Sequence, residues 1–72
     1  MRKYLIVYEK SKDGYSAYVP DLGGCTSAGA TREEVEANII EAINLYIETL
    51  KEDGLPIPEA FSYGENLVFH QI

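Results

Sequence analysis

One helix signal constrains this chain more than anything else in it. Thr31-Arg32-Glu33-Glu34 has the form of a capping box, in which the Thr31 hydroxyl accepts from the Glu34 N–H and the Glu34 carboxylate reaches back to the N–H of Thr31. Gly54 supplies the left-handed stop, and Pro56 and Pro58 bar continuation. The spacing predicts a helix over about 32–53. At 100° per residue, Val35, Ile39, Ala42, Ile43, Tyr46 and Leu50 share one side. Ile40 and Ile47 widen that stripe to roughly 160°, more than the ~100° a helix on a single core needs. The excess calls for cover from a sheet and from something else, such as a second subunit. Glu41, Glu48 and Glu52 fall on the outer side, where a solvated face is the default.

The remainder must supply what this helix packs on. Tyr4-Leu5-Ile6-Val7-Tyr8 is rich in β-branched and aromatic residues and apolar at every position, which predicts a strand covered on both faces and central in its sheet. Asp13-Gly14 supplies the positive φ of a tight hairpin turn. In the second strand, 15–19, Tyr15, Ala17 and Val19 share one face and Ser16 and Tyr18 the other. Pro20 ends it, because proline cannot donate to a ladder. Gly23-Gly24 is a turn without the spacing or the lysine of a phosphate loop. The run 25–29 reads as a short third strand, its small residues leaving room for a close helix. Residues 66–72 read as a last strand, with Leu67 and Phe69 on one face and Val68, His70 and Ile72 on the other. The expected class is α+β: an antiparallel sheet in β-β-β-α-β order, one long helix on one face, and a single domain over 1–72.

The chain has 72 residues, of which 46% are hydrophobic and 25% charged, so it has the composition of a folded domain. Its one cysteine permits no internal disulfide and no cysteine-rich zinc site. Self-association is then the common remaining way to enlarge so small a core. A homodimer or dimer of dimers is expected, with Val68 and Phe69 at a strand contact or Ile40 and Ile47 at a helix contact. The net charge of −6 repels phosphate, which argues against direct nucleic-acid binding and favours a basic protein partner. No apolar run is long enough for a membrane, no export signal is visible, and the lone cysteine fits a cytoplasmic setting.

Candidate chemistry is sparse. Cys25 lacks a neighbour that would lower its pKa and reads as a filler of a tight strand position. His70 has no candidate partner for acid–base or metal work and reads as a strand residue near a sheet edge or subunit contact. The six tyrosines suit core and interface packing better than base stacking, which needs a basic groove. Asp21 is the polar residue best placed for a specific role, as an Asx-type turn cap or a partner contact. No catalytic, metal-binding or cofactor-binding set is expected, and no enzyme.

From Tyr15 through Ser16-Ala17-Tyr18-Val19-Pro20-Asp21-Leu22-Gly23-Gly24-Cys25, the sequence resembles the HicB antitoxin family. The likeness continues through Thr26-Ser27-Ala28-Gly29-Ala30-Thr31, Glu33-Glu34, Asn38 and Glu41-Ala42, and covers about Tyr4 to Pro58. The family often has proline where this chain has Gly23. The resemblance implies a partial ribonuclease-H-like fold without that enzyme's acidic metal site. It also implies binding and neutralisation of HicA, a small basic toxin that cleaves mRNA. Asp21 and Tyr18 are the candidate partner-binding residues. Many full antitoxins add a helix-turn-helix or ribbon-helix-helix module; no such pattern follows here, so operator binding is not implied. The competing expectation is an orphan structural or small-ligand-binding domain of the same fold. It predicts a liganded pocket and no toxin gene alongside.

Overall fold

A computed structural model describes residues 2–70. Three antiparallel strands, β1 (Val7–Ser11), β2 (Gly14–Tyr18) and β3 (Thr26–Gly29), precede one helix, α1 (Arg32–Glu52). The sheet order is β1-β2-β3, and α1 packs on β2 and β3. The α+β class and the helix across one sheet face are as the residue pattern predicts.

The helix is defined by its own ends. The Glu34 N–H donates to the Thr31 hydroxyl at 3.1 Å, while the Glu34 carboxylate accepts from the Ala30 N–H at 2.9 Å. The return bond therefore skips the expected Thr31 N–H and satisfies the residue before it. At the other end, Gly54 at φ +67° donates to the Lys51 carbonyl and Leu55 to that of Leu50. These two bonds form a Schellman stop, which satisfies carbonyls the helix leaves open.

The hairpin register differs from the expected one. Ser11 pairs with Gly14, so Lys12 and Asp13 alone make the loop and Gly14 already belongs to β2. The first strand consequently begins at Val7 rather than Tyr4 and runs to Ser11. It is also an edge strand, not the central one: β3 returns to the other side of β2, which takes the middle. The predicted face assignment of β2 holds. Ala17 and Val19 are buried under α1 with Leu22, Cys25, Val35 and Ile39, and Tyr15 packs against that cluster.

Close approach of helix and sheet depends on Gly29. A Cβ there would lie 2.7 Å from the Val35 backbone nitrogen, so the small-residue strand does admit the helix. The wide helical stripe is only partly covered. Val35 and Ile39 are fully buried, Ile47 is half-buried, and Ile40 remains 49% exposed.

The last strand is the main departure. Residues 55–70 have no regular secondary structure, so Asn66 to His70 form no strand within the described residues; Gln71 and Ile72 lie outside them. A strand needs a partner for its backbone groups. Here Gly64 to Asn66 border a hollow beside Leu5 to Tyr8, and further on Val68 and Phe69 are each 82% exposed.

Candidate interaction surface

Register decides which side chains reach the uncovered side of the sheet. Pairing of Val7 with Tyr18 and of Tyr18 with Thr26 sets these three on one face, and Glu9, Ser16 and Ala28 follow on it. The helix covers the opposite face, so this one is open. Tyr18, picked from sequence as a partner residue, stands in it at 39% exposure beside half-buried Val7. Small and hydroxyl-bearing neighbours surround it, giving a flat surface with one aromatic anchor. Tyr8 lies on the helix side, where its ring takes the Arg32 guanidinium 4.2 Å from its centroid, a cation–π contact.

Asp21 does not cap its own turn as one sequence expectation had it. The turn after β2 closes through backbone: Leu22 N–H to Val19 carbonyl, and Cys25 N–H to Leu22 carbonyl. That frees the carboxylate, whose Oδ2 accepts from the N–H groups of Ser62 (2.9 Å) and Phe61 (3.0 Å). Its Oδ1 accepts from the Ser62 hydroxyl at 2.9 Å. The Ser62 N–H, with the Ser62 hydroxyl and the Phe61 N–H, holds the Asp21 carboxyl below its usual pKa, outweighing the opposing effect of desolvation. Asp21 thus fastens the segment after the helix to the loop between β2 and β3. A second tie joins the same segment to the stretch before β1, where the Tyr4 hydroxyl donates to the Pro58 carbonyl. Nothing within a few residues of Asp21 signals this role, because its partners lie some forty residues away.

Cys25 is buried, and burial pushes its thiol pKa up, opposite to what a nucleophile needs. Among the described residues, no three His, Cys, Asp or Glu side chains are grouped to hold a metal ion. His70 is exposed on the tail beside Phe69. The structure therefore brings the predicted residues to four places: Tyr18 on the open sheet face, Asp21 at the tail clamp, Ile40 and Ile47 on α1, and Val68 and Phe69 on the tail.

Sequence comparison fits this arrangement. The profile of a family described as the HicB-like antitoxin of bacterial toxin-antitoxin systems matches residues 4–69. The chain belongs to the HicB-like antitoxin family. A UPF0150 protein of Synechocystis is 49% identical to it over 57 residues, covering 78% of this chain and 72% of that protein. A UPF0150 protein of Thermoplasma acidophilum is 46% identical, covering 78% of this chain and 83% of that one. An uncharacterized 14.9 kDa protein of Haemophilus phage HP1 is also 46% identical, but the HicB-like chain spans only 43% of it. Among solved structures, a chain of a HicA3 and HicB3 toxin-antitoxin complex superposes with a TM-score of 0.66 at 38% identity. That match covers 76% of the present HicB-like chain and 64% of the solved one. The shared part holds the three strands and long helix, so the fold is that of a HicB neighbour.

Proposed function

We propose that this chain is an antitoxin that binds and neutralises a small, basic, HicA-like mRNA-cleaving toxin. The observation that carries this reading is the likeness, in fold and at 38% identity, to a chain from a HicA3 and HicB3 complex. The net charge of −6 supports it, since an acidic module complements a basic RNA-cleaving protein and steers its encounter. The protein acts by masking, without catalysis of its own, and does so in the cytoplasm without binding nucleic acid itself. Tyr18 on the open sheet face is the proposed direct contact. Asp21 contributes by holding the segment around Phe61 and Ser62 in place beside that surface. The chain works as a homodimer or dimer of dimers.

The test pairs purified chain with the small basic ribonuclease encoded beside its gene. Calorimetry should show a complex that weakens with added salt, and RNA cleavage should stop at stoichiometric ratio. Tyr18→Ala should weaken binding by about tenfold or more, as loss of an aromatic anchor does. Absence of a complex at micromolar concentrations, with cleavage unchanged, would refute the proposal.

A further inference from the structure

The sheet has two free edges, and they differ. Val19 pairs with Cys25, its N–H donating to the Cys25 carbonyl at 3.1 Å. Bonded and non-bonded pairs alternate in an antiparallel ladder, so Ser27 and Gly29 also face β2 while Thr26 and Ala28 direct their backbone groups outward. The Asn38 amide confirms the parity by donating to the outward Ala28 carbonyl at 2.9 Å. The Thr26 N–H and carbonyl and the Ala28 N–H have no partner among the described residues. Alongside this edge runs an apolar groove of about 380 Å³, with Cys25 and Thr26 on one wall and Ala42, Leu45, Tyr46 and Leu50 on the other. Leu45 stands 62% exposed at its rim. Beside the β1 edge, one hollow is bordered by Arg2, Lys3, Glu59 and Ala60, and the other, lined by Leu5, Ile6, Val7, Tyr8 and Arg32, is already flanked by the chain's own Gly64, Glu65 and Asn66.

The tail has the complementary shape. Asn66 to His70 is unpaired and exposed, apolar at Leu67, Val68 and Phe69, with Leu67 and Phe69 alternating against Val68 and His70. It cannot serve its own groove. Gly64 is held against the Leu5 side chain on the β1 side. A strand added beyond β3 lies three strand spacings away, about 14 Å. Crossing that distance uses about four extended residues at ~3.3 Å each, which leaves too few before His70 to form a strand.

We infer that residues 66–70 of one copy add as a fourth strand to the β3 edge of a second copy, with Leu67 and Phe69 seated in the groove. A two-fold axis makes the exchange reciprocal, so each copy gives its tail and receives one. The edge that invites unspecific pairing is then closed by the chain's own sequence. This inference deepens the homodimer reading and is independent of toxin binding, because its test uses the pure chain alone.

Sedimentation equilibrium of the 72-residue chain should show a dimer. Phe69→Glu, at a position exposed in the single chain, should leave the far-ultraviolet spectrum unchanged and raise the dimer dissociation constant at least about tenfold. Leu45→Glu at the groove rim should act alike. To locate the contact, a Thr49→Cys chain is mixed with a Phe69→Cys chain and oxidised, and the disulfide is mapped by peptide mass spectrometry. A Thr49–Phe69 cross-link between chains is expected, and none when Lys10→Cys on the β1 edge replaces Thr49→Cys. A stable monomer would overturn the inference, as would a dimer indifferent to Phe69→Glu or a cross-link confined to the β1 edge.

Discussion

Gly29→Ala measures how much of this fold depends on the closeness of α1 to β3. The added Cβ would lie 2.7 Å from the Val35 nitrogen and 3.1 Å from both the Glu34 carbonyl carbon and the Val35 Cα. All three are backbone atoms, so no side chain can swing aside. The first turn of the helix has to move by several tenths of an ångström, and Val35, which is fully buried, moves with it. Overpacking of this kind costs about 1–3 kcal/mol. Replacing glycine with alanine also removes freedom from the unfolded chain, worth about 0.4–1 kcal/mol in the opposite direction. The net expectation is a loss of about 1–2 kcal/mol, against a total stability of about 4–11 kcal/mol for a chain of this length. With a urea m-value near 1 kcal/mol/M, the unfolding midpoint should fall by about 1–2 M. Gly23→Ala is the matched control: nothing lies within 4 Å of its Cβ and its φ is not positive. That substitution leaves the midpoint unchanged or slightly raised. Equal midpoints for Gly29→Ala and wild type would refute the argument that helix–strand contact at this glycine limits packing.

Two further predictions concern the ends of the ordered body. Thr31→Ala removes the hydroxyl that accepts from Glu34 and should cost about 0.5–2 kcal/mol in chemical denaturation; an unchanged midpoint would argue against the cap. Asp21→Ala should raise amide exchange at Phe61 and Ser62 while exchange in β2 and α1 stays as it was; protection unchanged at those two amides would refute the clamp. The pH dependence has a definite sign. Since the folded Asp21 pKa lies below its ordinary value, the clamp's contribution is complete above that ordinary value and is lost as pH falls through the folded pKa. Protection at the two amides, measured relative to their intrinsic exchange rates, should therefore fall on acidification in wild type and stay flat in Asp21→Ala.

The sequence by itself determined whatever depends on neighbours along the chain. Helix ends are of this kind. Thr31, Glu34 and Gly54 act within four residues of themselves, and the helix runs from Arg32 to Glu52 as they dictate. Alternation along β2 is likewise local, so Tyr18 and Ala17 were legible as lying on opposite faces, and the helix then buried the Ala17 side. Family membership was legible too, because the motif between Tyr15 and Ala42 is a linear pattern. Tertiary structure decided what depends on pairing between distant segments. An apolar run such as Tyr4 to Tyr8 states that a strand is buried, not which neighbours it takes; the two-residue loop and the return of β3 made it an edge. Asn66 to His70 has the alternation of a strand, yet backbone groups pair only with a partner, and the segment takes no strand pairing among the described residues. The use of Asp21 was hidden for the same reason, since its carboxylate meets donors some forty residues on. The apolar groove beside β3 exists only once the helix overhangs the sheet edge, where Cys25, Leu45 and Leu50, distant in sequence, line one space.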